Sequence, residues 1–183
     1  LAIDESVNET HRYPDGNGYY LKLALCNKFS LNSDQIILGN GSNDVLELAA
    51  RTFISSGDEV IYSKHAFAVY EIVTNAVGGI GIKAKPQEDF GHNLDEFLKL
   101  ISEKTKLIFI ANPNNPTGNL IEKSKISAFL SKVPKHILIV LDEAYDEYLR
   151  DEDKSIAFSW LAEYKNLLIS RSFSKAHGLA GLR

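Results

Sequence analysis

Ile137-Leu138-Ile139-Val140-Leu141 is apolar at every position, a pattern that suits a strand covered on both faces and so a parallel sheet held between helices. Shorter apolar runs recur along the chain and alternate with segments of helical period. The pattern predicts strands over Gln35–Leu38, Glu59–Tyr62, Ile80–Lys85, Leu107–Ala111, Ile137–Leu141 and Leu167–Ser170. It predicts helices over Tyr19–Phe29, Asn43–Ile54, Ala66–Ala76, Leu94–Ile101, Glu122–Ser131 and, briefly, Ile156–Glu163. Asn93 with Glu96 three residues on forms a helix-start signature. Asn32-Ser33-Asp34, Ser56-Gly57-Asp58 and Gly78-Gly79 supply turns. The expected fold is α/β, with a mostly parallel central sheet flanked by helices, and no repeat or linker interrupts it.

The 183 residues, 44% hydrophobic and 24% charged, suffice for one globular domain spanning 1–183. A net charge of -4 provides no basic stripe, which argues against nucleic acid and anionic membrane surfaces as partners. The apolar runs are too short to cross a bilayer, and no secretion signal opens the chain, so a cytoplasmic location is expected. Cys26 is the single cysteine; among Leu23, Ala24 and Leu25 it reads as a buried structural thiol. The absence of methionine and the start at Leu1 read as a fragment, truncated at both ends.

Ligands of parallel sheets gather beyond the carboxyl ends of the strands, and three motifs fall there: Asn112-Pro113-Asn114-Asn115-Pro116-Thr117-Gly118, Leu141-Asp142-Glu143-Ala144-Tyr145 and Ser172-Phe173-Ser174-Lys175. Lys175, flanked by hydroxyls, is a candidate nucleophile of the kind that forms a Schiff base. Asp142 ends the most apolar strand, where a carboxylate needs a cationic partner. Gly41-Ser42-Asn43 precedes a predicted helix whose free N–H groups favour an anion. Each feature also has a plain reading: a solvated lysine, a strand-end Asp capping a helix, a turn at Asn-Pro-Thr-Gly. Gly39-Asn40-Gly41 is not a dinucleotide fingerprint, since Asp44 stands where a third glycine is required, and no lysine follows it as in a P-loop. His11, His65, His92, His136 and His177 lack paired ligand spacing, so no metal site is expected. The acidic run from Asp142 to Asp153, with Asp146, Glu147, Asp151 and Glu152, reads as a solvated face.

From about Tyr13 to Arg183 this ordered set resembles the pyridoxal-phosphate (PLP) aminotransferases of fold type I. His11-Arg12-Tyr13-Pro14-Asp15-Gly16 and His65-Ala66-Phe67-Ala68-Val69-Tyr70 look most like the histidinol-phosphate aminotransferases among them. The resemblance implies pyridoxal 5'-phosphate as cofactor, with Lys175 as covalent anchor and general acid/base, and Asp142 opposite the ring nitrogen. It also implies Asn115 and Tyr145 as donors to the ring oxygen and Phe67 stacked on the ring, although a core Phe is the competing account. Ser42, Asn43, Ser172, Ser174 and Arg183 would cradle the phosphate. The family more often has Asp at the place of Asn43 and Glu at that of Asp44, a difference that leaves the backbone donors intact.

Tyr13 resembles the tyrosine that reaches the phosphate in the neighbouring subunit, which implies a homodimer. The implied reaction exchanges an amino group between L-histidinol phosphate or imidazole-acetol phosphate and the glutamate/2-oxoglutarate pair, in histidine biosynthesis. An aromatic amino acid aminotransferase, a threonine-phosphate decarboxylase-like enzyme and a PLP-sensing domain of a transcription regulator remain alternatives. By the same resemblance the chain is a partial PLP-binding large domain, without the N-terminal segment, the rest of the large domain and the small C-terminal domain, and of little or no activity alone.

Overall fold

Five parallel strands make one sheet in the computed structural model, which describes residues 2–154 and 156–182. They are β1 (Glu59–Ser63), β2 (Ile80–Ala84), β3 (Thr105–Ala111), β4 (Leu138–Asp142) and β5 (Leu167–Ser170). Their spatial order is β2-β1-β3-β4-β5. The chain therefore runs from β1 to one edge, returns past β1 to β3, and continues outward. Loops leaving β1 and β3 diverge at this reversal, which opens a crevice at the carboxyl ends of the strands.

The chain divides into two compact units, residues 1–38 and 39–183. The first holds α1 (Ala2–Val7), α2 (Tyr19–Phe29) and a 3-10 turn at Ser33–Gln35. The second holds the sheet with α3 (Ser42–Phe53), α4 (Val69–Ala76), α5 (Leu94–Leu100), α6 (Lys123–Leu130) and α7 (Ala157–Trp160). Asn93 does cap α5, its side chain accepting the Glu96 N–H at 3.2 Å.

Side chains on a strand alternate between faces, and here each face has its own core. Leu138 and Val140 of β4 join Leu107 and Phe109 of β3, with Leu46 and Ala50 of α3 and Tyr70 and Val73 of α4. Ile139 and Leu141 join Ile108, Ile110, Phe97 of α5, Phe129 of α6 and Trp160 of α7 on the other face. Burying each large apolar side chain contributes about 1.5–3 kcal/mol. The same alternation puts Asp142 on the α3/α4 face and the next residue, Glu143, on the opposite one.

Three expectations are corrected. Gln35–Leu38 is not a strand: Gln35 closes the 3-10 turn, its Oε1 accepting the Asn32 N–H at 3.0 Å. That local bond leaves only three extended residues before Gly39, and none of them enters the sheet. The helix expected from Ala66 starts at Val69, because residues 64–68 turn sharply between β1 and α4. Cys26 is half-buried, and α2 contains no buried residue; its neighbours Leu21, Leu23 and Tyr20 are exposed, so apolar composition alone does not enclose the thiol.

Candidate active site

Loops after β1, β3, β4 and β5, with the start of α3, enclose one cavity within the unit 39–183. Asp142 lies at its floor, only 6% exposed. The carboxylate accepts the Tyr70 hydroxyl at 3.0 Å and the Ala144 N–H at 3.3 Å. Burial holds its pKa above the ordinary carboxylate value, while Tyr70, Ala144 and the Lys175 charge pull the other way. Among the described residues no cation forms a salt bridge with it.

Tyr70 is a site residue that sequence reasoning left without a role. Its ring is fully buried, stacked on Phe109 at 4.7 Å and met edge-on by Phe67 at 5.9 Å. Burial, and then the Asp142 charge, push its pKa well up, so the phenol keeps its proton and donates. One signal was available: Tyr70, Val73 and Thr74 fall on one face of α4, and a tyrosine within a buried stripe needs a partner for its hydroxyl.

The wall opposite the floor comes from the end of β5. Ser172, Ser174 and Lys175 all line the cavity. The Ser172 hydroxyl accepts the Ser174 N–H at 3.1 Å, which folds this segment into a tight turn. Lys175 Nζ lies 5.5 Å from the centre of the Tyr145 ring, within range for a cation–π contact. Tyr145 and Asn115 complete this side of the cavity.

Asn115 is held indirectly. Asn112 spans its own loop, accepting the Ile121 N–H at 2.8 Å and donating to the Ile121 carbonyl at 3.3 Å. The Asn114 amide donates to the His65 carbonyl at 2.8 Å and to the Thr117 hydroxyl at 2.7 Å. Two asparagines thus brace the loop and the third faces the cavity. His92, 4% exposed, adds a bond from below, its Nε2 lying 2.9 Å from the Ala111 carbonyl. Both His92 Nδ1 and Asn114 Oδ1 are buried without a hydrogen-bond partner among the described residues. Burial holds the His92 pKa low, against the opposing effects of Ala111 and Asn114.

At the remaining end, Ser42 and Asn43 line the cavity from the first turn of α3, where backbone N–H groups are free. Gly41 has φ 85° and ψ 171°, a conformation reserved almost entirely to glycine. Phe67 also lines the cavity while packing against the α3/α4 core, so the two accounts of this residue are compatible. Of the remaining candidates, Tyr13 lies in the unit 1–38 and is 99% exposed. Arg183 lies outside the described residues. Ala180, at a 3-10 turn, lines the cavity as well, and nothing in its sequence context marked it.

The acidic run is not a solvated face. Glu143 and Asp146 are 0% and 3% exposed, and Arg171 binds both. Asp151 and Glu152 are exposed as expected. Among the described residues no group of three or more His, Cys, Asp or Glu is arranged to hold a metal ion, and no helix is long and apolar enough to cross a membrane.

The family described as "Aminotransferase class I and II" matches residues 2–183. The chain belongs to this family. A histidinol-phosphate aminotransferase of Methylobacillus flagellatus is 59% identical over 182 residues, covering 100% of this chain and 49% of its own length. Histidinol-phosphate aminotransferase 1 of Idiomarina loihiensis is 53% identical, with 100% and 49% covered. Among solved aminotransferases, the histidinol-phosphate enzyme of Sinorhizobium meliloti in complex with pyridoxal-5'-phosphate superposes with a TM-score of 0.94 at 29% identity. That match covers 100% of this chain and 50% of the other. The chain thus spans about half the length of the aminotransferases it matches.

Proposed function

We propose that this chain is the cofactor-binding part of a PLP-dependent aminotransferase that converts L-histidinol phosphate and 2-oxoglutarate to imidazole-acetol phosphate and L-glutamate, in histidine biosynthesis in the cytoplasm. The observation that carries the reading is the single cavity shared by Lys175, Asp142 and Asn115. Its donor set fits pyridoxal 5'-phosphate. A buried carboxylate suits a protonated ring nitrogen, a primary amine suits an aldehyde carbon, and a helix start with two serine hydroxyls suits a phosphate. When bound, the cofactor supplies an electron sink for the substrate carbanion.

The chain's own residues would divide the remaining work. Lys175 anchors the cofactor and then moves a proton to and from the substrate α-carbon. Asp142 holds the ring nitrogen protonated, and Tyr70 orients that carboxylate. Asn115 and Tyr145 donate to the ring oxygen; Phe67 packs on the ring face. Ser42, Asn43, Ser172, Ser174 and Arg183 hold the phosphate. We further propose a homodimer in which Tyr13 reaches the neighbouring site.

Substrate preference is tested by steady-state turnover of the full-length protein. Histidinol phosphate should far exceed tyrosine and phenylalanine, and equal rates would overturn the substrate assignment. Cofactor binding is tested by a visible absorption spectrum with added PLP. A band should arise in the parent and not in Lys175→Ala, and a band in both would remove Lys175 from its role.

A further inference from the structure

Gly39-Asn40-Gly41 is no dinucleotide fingerprint because Asp44 stands where a third glycine is required, and in the fold that aspartate closes the loop. Its carboxylate reaches back from the first turn of α3 and accepts the Asn40 N–H through Oδ2 at 3.1 Å. Gly39 leaves the room for it: a Cβ there would come within 3.0 Å of Oδ2 and 3.1 Å of Val45 Cγ2. An acid at the third position of a helix ordinarily pairs the N–H of the residue just outside it. Here that N–H, of Gly41, is already held by the Gly39 carbonyl at 2.8 Å, so Asp44 takes the one before.

The result is a division of donors. The N–H groups of Asn40, Gly41 and Asp44 all bond within this short segment, the last to the Gly41 carbonyl at 3.2 Å. Those of Ser42 and Asn43 are among the four that a helix start leaves unpaired, and both residues line the cavity. Asp44 does not line it. Its negative charge nonetheless stands next in sequence to Asn43, near the place proposed for a dianionic phosphate, where charge alone would oppose binding. A carboxylate there favours the phosphate only through geometry, by holding the loop that sets the two free donors in place.

We propose that Asp44 is a positioning residue that clasps the loop at 39–41 and so presents the Ser42 and Asn43 N–H groups to the cofactor phosphate. The inference rests on the proposed phosphate site at the start of α3. Geometry and charge predict opposite signs, which separates them. Dissociation constants of PLP and of pyridoxal, which lacks the phosphate, are measured from the visible band in the full-length protein freed of cofactor. Lys175 and Asp142 meet both compounds alike, so the ratio of the two constants isolates the phosphate end. In Asp44→Ala, which loses clasp and charge, PLP should bind about 3–10-fold more weakly while pyridoxal is unchanged. Asp44→Asn keeps an acceptor for the Asn40 N–H and sheds the charge, and its preference for PLP should equal or exceed that of the wild type.

A PLP preference that is unchanged or raised in Asp44→Ala would leave only the charge and overturn the proposal. So would equal weakening of PLP and pyridoxal, the mark of a residue that merely supports the fold, or a loss in Asp44→Asn as large as in Asp44→Ala. Should Asp44→Ala fail to fold, Gly39→Ala takes its place. Its Cβ crowds the carboxylate and should lower the preference in the same direction, and an unchanged preference would sink the idea. A wild type that binds PLP no better than pyridoxal would remove the phosphate site itself and the clasp with it. Failure of the cofactor reading shows separately, as a wild-type protein that develops no visible band with PLP.

Discussion

Asp142 and Glu143 are consecutive acids at the end of one strand, both buried, and their fates are opposite. Glu143 faces a guanidinium supplied by the chain itself, with Asp146 and Glu147 on the same group. Asp142 faces a neutral phenol and a backbone N–H. The first arrangement meets a buried acid with a cation of the chain's own and is a brace. The second keeps a carboxylate in a low-dielectric place with only neutral donors, which raises its pKa and suits it to a cation that arrives with a ligand.

The sharpest way to break this contrast is Arg171→Met. It leaves Glu143 and Asp146 buried without their guanidinium and should cost about 3–5 kcal/mol, measured as a lower denaturant midpoint at unchanged slope. Tyr70→Phe comes next: the Asp142 carboxylate loses its side-chain donor, and stability should fall by about 1–3 kcal/mol.

Asp142→Asn should behave oppositely in the cofactor-free protein, raising stability at neutral pH by about 1 kcal/mol while weakening PLP binding, read from the visible band. The sign follows from the raised pKa. Ionising the buried carboxyl opposes folding, so the penalty is full above its folded pKa and vanishes as pH falls below the unfolded carboxylate value. The advantage of Asn should therefore disappear in acid, which thermal melts across pH would reveal. If Asp142→Asn instead destabilises as strongly as Arg171→Met, the two acids are both structural and the contrast fails.

The smallest effect concerns His92, a third buried ionisable group. Its pKa is lowered by burial, so the unfolded chain takes up a proton that the folded one refuses. Stability should fall as pH drops through about 6.5, the unfolded value. His92→Gln should flatten that dependence by less than about 1 kcal/mol between pH 7 and pH 5.

Much of this was legible before any coordinates. Apolar runs gave five strands and their order along the chain, and each cavity loop begins where such a run ends. Asp142 illustrates why: a carboxylate at the end of five apolar residues is improbable without a purpose, and that improbability is visible in one dimension. The segment at Gln35–Leu38 shows the limit, because an apolar triplet forms a strand only if a neighbouring strand accepts its hydrogen bonds. Asp146 shows it again. A local count of charges described a solvated surface, while its partner Arg171 lies just past the end of the next strand, 25 positions away by sequence number.

By itself, then, the sequence determined the five strands of the sheet, most of the helices and which polar side chains stand at strand ends, since these follow from short-range periodicity. Only the tertiary structure decided which of two adjacent acids would be matched by the protein and which would face the cavity. That choice depends on strand register, where a shift of one residue sends a side chain to the opposite face of the sheet.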